Sequence, residues 1–278
     1  MRPPLGVMQG RLTEPVHGKI QAFPSDTWRD EFSKARQCGL ELIEWIWDLQ
    51  KNPLMDAHGP ELIQKMTAVH KVGVISVCAD FFLERPLARG TERERLEGRH
   101  MLQRVITQSS RAGIRFVTIP FLDHSEFQTP AELDHAVDSL RACAPFAKEL
   151  GVTLSLETSL NPRKFSEFIK MIAKPNVQVN YDIGNSAGMG YDPHEEFAAY
   201  GDSIATVHIK DRIRNGSTVP LGSGDADFPK VFRELADRGY AGPFILQAAR
   251  QSGDPMRVIQ EYVAFVKNHL QAVYPHEA

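Results

Sequence analysis

The stretch IATVHIKDR, residues 204–212, decides how this chain is read. It opens as an apolar strand and closes on His208, Lys210 and Asp211. In a loop such residues need no account; directly after ATV, at the end of a buried strand, they do. Alternation along a strand sends His208 and Lys210 to the same side. Outward from it, seven more short apolar runs punctuate the chain: LGVM (5–8), LIEWI (42–46), ISVCA (75–79), FVTIP (116–120), TLSLE (153–157), VQVNYD (177–182) and FILQA (244–248). Runs this short and this uniformly apolar read as strands buried on both faces.

Nearly every gap between the runs holds a helix-like segment. Thr129-Pro130-Ala131-Glu132 puts Thr at the N-cap, Pro at the first helical position and Glu at the third, and Asp192-Pro193-His194-Glu195 repeats the arrangement. Asn161-Pro162 and Asp254-Pro255 show its first half. Helices end at glycine turns in CGLELIEW, AGIRFVTI, LGVTLSLE and GYAGPFIL, where Gly can take the left-handed conformation. The charged segment 80–98, with FFLERPLARGTERERLEG, reads as a long loop entering a helix. Eight strands alternating with helices, at roughly 35 residues per unit, predict an α/β fold with a parallel sheet closed into a (β/α)8 TIM barrel; an open doubly wound sheet is the alternative. With no linker and no low-complexity stretch, residues 1–278 read as one domain.

The bulk composition narrows the function classes. The 278 residues are 42% hydrophobic and 24% charged, an ordinary globular balance. A net charge of −3, from 32 basic against 35 acidic residues, predicts no strong attraction to nucleic acid or to anionic membranes. Cys38, Cys78 and Cys143 have no framework spacing and read as buried thiols in a reducing compartment. MRPPLGVMQGRL lacks the apolar core of a signal peptide, and no apolar run is long enough to span a bilayer. The expectation is a cytoplasmic protein, with a homo-oligomer left open.

In a barrel of this kind the chemistry collects at the C-terminal strand ends. There the sequence places Arg11, Glu44, Asp80 with Phe81, Glu157, Asp182 with Asn185, His208 with Lys210, and Gln247. Taken singly, Glu157 reads as an ion-paired acid, His208 as a structural residue and Asp182 as a loop cap. Taken together, Glu157, Asp182, His208 and Gln247 occupy equivalent positions on four successive strands and converge on one point. Two carboxylates, an imidazole and an amide oxygen suit one divalent ion, Mn²⁺, Mg²⁺, Co²⁺ or Zn²⁺, over a thiolate-preferring metal. Such an ion also relieves two buried carboxylates that would otherwise repel.

These residues carry a resemblance. LSLET with Glu157, NYDIGN with Asp182, VHIKD with His208 and PLGSGDADF at 220–228 make the whole chain resemble the xylose-isomerase-like TIM barrels, a superfamily of sugar and sugar-phosphate isomerases and epimerases. The resemblance implies a divalent-metal site from Glu157, Asp182, His208 and the residue on the eighth strand. It implies proton transfer next to a carbonyl of a small carbohydrate, through a metal-bound enediolate, with a carboxylate such as Glu157 taking the proton.

The sequence departs from that family at the eighth strand, where Gln247 stands in place of the usual Glu. An amide coordinates through oxygen and cannot act as a base. Three readings follow: a one-base isomerase using Glu157, a second proton supplied by another group with Lys210 as candidate, or a lyase or dehydratase on the same scaffold. A barrel that binds without turning anything over stands beside them. Glu44, Arg11, Asn185 and Phe81 are the expected substrate contacts, against ion pairing for Glu44 and Arg11 and plain core packing for Phe81. Trp45, Trp47, Phe121 and Phe228 read first as core. Gly222-Ser223-Gly224 could cradle a phosphate or be a flexible turn. A DNA-repair endonuclease of the same superfamily needs more strand-end His ligands than strands two to four supply, and a basic surplus that is absent.

Overall fold

A computed structural model describes residues 2–274. Eight strands, β1 (Leu5–Met8), β2 (Leu42–Ile46), β3 (Gly73–Cys78), β4 (Phe116–Phe121), β5 (Thr153–Thr158), β6 (Val177–Asp182), β7 (Ile204–Ile209) and β8 (Phe244–Leu246), close into one barrel in the order β1-β8-β7-β6-β5-β4-β3-β2. Every neighbouring pair is parallel, including β1 with β8, so the open-sheet alternative is excluded. Eight helices surround it: α1 (Asp30–Gln37), α2 (Gly59–His70), α3 (Glu92–Ala112), α4 (Pro130–Glu149), α5 (Pro162–Ile172), α6 (Pro193–Tyr200), α7 (Phe228–Asp237) and α8 (Pro255–Val273). The result is a single TIM barrel domain.

The helix starts follow from the caps read in the sequence. Thr129, Asn161, Asp192 and Asp254 each accept a main-chain N–H of the first helical turn, ahead of a proline. The strand limits move where hydrogen bonding overrules composition. β3 begins at Gly73, two residues before the apolar run, and β8 ends at Leu246. Gln247 still stays on the sheet, because its N–H donates to Ile209 O at 3.0 Å. The segment 80–98 is only partly loop. It contains a one-turn helix, Phe81–Glu84, and α3 starts at Glu92 behind a capping box of Thr91 and Glu94.

Three features shape the barrel's C-terminal mouth. The register slips between Ile43 and Glu44 on β2 and between Val179 and Asn180 on β6. Such irregularities re-aim the residues that follow them, here Glu44 and Asn180. Beyond β7 the chain folds into a ribbon of Asp211–Arg212 against Thr218–Val219. Beyond β6 a short helix, Ile183–Met189, turns over the strand end; a Cβ on Gly184 would lie 2.7 Å from Lys210 Cγ, so glycine permits that approach. All three cysteines are free and buried, and no helix among the described residues is long and apolar enough to cross a membrane.

Candidate active site

His208 stands at the centre of the polar mouth, fully buried. Its Nε2 lies 2.7 Å from Glu44 Oε2, reached across the barrel interior from β2. On the other side of the ring, Nδ1 lies 3.0 Å from Asn180 Nδ2, 3.3 Å from Glu157 Oε2 and 3.9 Å from Asp182 Oδ2. Asn180 Oδ1 accepts from the Thr206 hydroxyl at 2.7 Å, and its amide N–H donates to Glu157 Oε2 at 3.1 Å. The amide nitrogen therefore faces the imidazole. With Nε2 protonated the ring donates to Glu44, and Nδ1, which faces the Asn180 amide and the carboxylates, donates to Glu157 when the ring carries its second proton.

A positive charge comes from the residue two positions on. Lys210 Nζ lies 2.7 Å from Asp182 Oδ2 and donates to Gln247 Oε1 at 3.1 Å. Asn185, on the short helix, donates to Glu157 Oε1 at 2.7 Å through its side chain and to Asp182 Oδ1 at 2.7 Å through its main chain. Burial alone would push Glu157 up, but the hydrogen bond and charge of His208, aided by Lys210, hold its carboxyl below the usual range. Burial likewise opposes a charged His208, yet Glu44 and Glu157 push it well above the usual imidazole value. Asp182 is pushed up by burial, which Lys210 opposes and Glu157 reinforces.

This cluster fits a divalent cation. One ligand atom each from Glu157, Asp182 and His208 lies within 4.8 Å of the other two. Asp182 Oδ2 is buried with no hydrogen bond of good geometry, facing the Lys210 ammonium at 2.7 Å and His208 Nδ1 at 3.9 Å. Glu44 holds the imidazole by its far nitrogen, the arrangement that orients metal-binding histidines. Three carboxylates face one ammonium and one imidazole, so negative charge is left over. Gln247 Oε1 accepts from Lys210, whose ammonium also lies against Asp182.

A cavity of about 640 Å³ opens above the cluster, lined by Arg11, Asp80, Glu157, Asn185, Lys210 and Gln247 among others. Two expected substrate contacts, Arg11 and Asn185, and the two expected catalytic residues, Glu157 and Lys210, thus line the same space. Arg11 arrives with its guanidinium engaged by the Ala248 and Ile20 carbonyls and Gln21 Oε1, and burial lowers it to about 10, so it remains charged.

Two expected substrate contacts are corrected. Glu44 does not line the cavity; it lies beneath His208 and serves the site through that ring. Phe81 stacks on Trp47 with centroids 4.6 Å apart and planes 7° apart, so packing takes it away from the cavity. The glycine-rich turn does not cradle an outside anion: Gly222 and Gly224 N–H both donate to Asp211 Oδ2 at 2.9 Å, and Ala226 N–H to Asp211 Oδ1 at 3.2 Å. The nest is filled by the chain's own carboxylate. Asn180 escaped the sequence reading although it precedes Asp182 by two, on the same side of the strand. Gln21 had no such signal. It comes from the loop after β1 and accepts from Gln247 Nε2 at 3.1 Å while donating to Asp80 Oδ2 at 2.8 Å.

A closed parallel barrel with an acid–imidazole cluster at the ends of β5, β6 and β7, able to hold a metal ion, defines the class of the protein. The chain belongs to the xylose isomerase-like TIM barrel family, whose sequence model matches residues 32–269. It is 24% identical over 261 residues to L-ribulose-5-phosphate 3-epimerase UlaE of Escherichia coli, covering 89% of this chain and 92% of that one. Among solved structures it is similar to an L-ribulose 3-epimerase, with a TM-score of 0.78 at 18% identity over 98% of this chain and 95% of that one. It is also similar to a xylose isomerase domain protein from Planctomyces limnophilus, with a TM-score of 0.76 at 16% identity over 98% of both chains.

Proposed function

We propose that this protein is a divalent-metal-dependent epimerase or isomerase of a small sugar or sugar phosphate, working in the cytoplasm by proton transfer next to a carbonyl. The observation that carries the reading is the buried group of Glu157, Asp182 and His208 opening into a sugar-sized cavity. The epimerase names of the relatives, L-ribulose-5-phosphate 3-epimerase among them, support the reaction class. Glu157, Asp182, His208 and Gln247 would hold the ion, which when bound supplies a Lewis acid for neighbouring substrate oxygens. Glu157 takes the proton from the carbon beside the carbonyl, held as a carboxylate by His208 and Asn185. Lys210 and Arg11 present cations to the oxygens on which charge develops. Asn185 keeps Glu157 and Asp182 in register.

The test is a panel of ketoses and ketose phosphates incubated in D2O with Mn²⁺, read by NMR for deuterium uptake beside the carbonyl and for the epimer formed. The wild type exchanges and epimerises at least one member. Glu157→Gln lowers turnover by about 100-fold or more with an unchanged thermal midpoint. Full activity in that variant removes Glu157 from the role. A dehydrated product in place of an epimer favours the lyase reading that Gln247 leaves open.

A further inference from the structure

An epimerase must return a proton to the face opposite the one it was taken from, and Gln247 has none to give. The carboxylates that can replace it are few. Glu44 is shut beneath His208, while Glu31 and Glu196 are buried away from the cavity. Asp123 and Glu126 line only its outer part, Asp123 exposed and Glu126 bonded to the Ser159 hydroxyl at 2.6 Å. Among the bases, Lys210 is drawn to Asp182 at 2.7 Å, and Arg11 is committed to two carbonyls and Gln21. Asp80 remains.

Asp80 follows β3 and lines the cavity. It stands at the end of a hydrogen-bonded chain that begins at position 247: Gln247 Nε2 donates to Gln21 Oε1 at 3.1 Å, and Gln21 Nε2 donates to Asp80 Oδ2 at 2.8 Å. The chain ties this cavity carboxyl to the side chain at position 247, with no hydrogen bond between Asp80 and Glu157. Its other contact is the Cys78 thiol, 3.0 Å from Oδ1. Both partners are neutral, so no cation in contact fixes Asp80 as a carboxylate. This distinguishes it from Glu157 and Asp182, each held beside a base.

We infer that Asp80 is the second acid–base residue, standing in through Gln21 for the carboxylate that position 247 lacks; the inference rests on the epimerase reading above. In the forward direction Glu157 takes the proton from the carbon beside the carbonyl. The C–H electron pair becomes the C=C bond of the enediolate, and the carbonyl π pair moves onto oxygen. Asp80 then delivers its carboxyl proton to the opposite face of that carbon as the carbonyl re-forms. Glu157 ends protonated and Asp80 ionised, and exchange with cavity water resets both. In reverse Asp80 is the base. Burial raises its carboxyl to about 6, against the donors Gln21 and Cys78, so both protonation states are populated near neutrality.

The experiment uses the full-length Mn²⁺ protein, the ketose or ketose phosphate that the wild type epimerises, and both epimers of it in D2O. In Asp80→Asn, net epimerisation falls by about 100-fold or more. The epimer whose proton Glu157 removes keeps exchanging that hydrogen for deuterium at near wild-type rate, while the opposite epimer stops. A residue acting only on structure would slow both exchanges together, and Asp80→Glu, which keeps the carboxyl, restores part of the lost exchange. Equal exchange of both epimers in Asp80→Asn overturns the assignment, as does transfer of the one-sided loss to Lys210→Met. A wild type that epimerises nothing on the panel overturns the epimerase reading itself, and this proposal with it.

Discussion

Two buried knots of polar side chains follow the ends of barrel strands and are built on opposite rules. Around His208, acids meet bases: Glu44, Glu157 and Asp182 share the imidazole and Lys210. After β1, Glu31 of α1 meets only neutral donors, the Gly10 and Leu12 N–H groups and the Thr13 hydroxyl. Both carboxyls are buried, Glu157 at the floor of the cavity, yet they titrate in opposite directions. Compensating charge holds Glu157 down, while burial pushes Glu31 up to about 7 despite its donors. The lesson is a division of labour. A carboxylate kept ionised in a dry place is available for chemistry, whereas one that only ties N–H groups is there to hold a loop, here the loop that carries Arg11 into the cavity.

The strongest way to break the contrast is His208→Leu. It removes the one group that touches Glu44 and Glu157, leaving enclosed carboxylates without their partner. The expected loss is roughly 3–5 kcal/mol of unfolding free energy at pH 7. The pH dependence identifies the cause. Without the imidazole, burial pushes the Glu157 carboxyl up, so the variant loses stability as pH rises past the ordinary carboxylate range. Its deficit is therefore largest near neutrality and shrinks in acid. Urea unfolding at several pH values reads this, and a deficit constant with pH would mean that lost packing, not lost charge, is responsible.

The sequence announced these two knots unequally. β1, β2 and β6 fall on the quoted runs residue for residue and β7 takes the opening Ile204–Ile209 of its stretch, because strands covered on both faces are mostly apolar between polar flanks. Glu157, Asp182 and His208 were legible for a related reason: equivalent positions on consecutive strands of a closed barrel must meet. What stayed hidden depends on contacts between distant segments. The bond from His208 to Glu44 spans 164 residues, and nothing local says that β2 turns its acid inward to the ring rather than up to a ligand. Phe81 had the right strand end, but Trp47 offered a better stacking partner than a sugar. Gln21 and the Asp211 nest lie on irregular backbone, where periodicity carries no information.

Glu31→Gln probes the neutral knot with a smaller effect of opposite slope. A carboxyl that titrates at about 7 when folded, against its ordinary 4.5, binds more protons in the folded state than in the unfolded one between those values. Its contribution is complete below that window and lost as pH rises through it, roughly 3 kcal/mol in all. Glutamine does not titrate. Between pH 5 and pH 8 the wild type therefore loses stability relative to the variant. Parallel urea curves with the same gap at both pH values would show that Glu31 is already ionised at pH 5.

Gln247→Glu sharpens the charged knot and has the mildest expected consequence. Gln247 Oε1 accepts from Lys210, the same ammonium that lies against Asp182. A carboxylate there adds a negative charge beside Glu157 and Asp182, and costs the amide donation to Gln21. Coulomb attraction at a few ångströms and an effective dielectric constant near 20 is worth a few kcal/mol, part of which Lys210 already screens. The balance predicts Mn²⁺ binding tighter by about tenfold, roughly 1.4 kcal/mol, measured by calorimetry on the wild type and variant side by side. Thermal stability without added metal should change little, since Lys210 stands ready to pair with the new acid. Unchanged Mn²⁺ affinity would mean that position 247 lies outside the ligand set. The cluster would then bind through Glu157, Asp182 and His208 alone, with Lys210 and Gln247 facing the substrate.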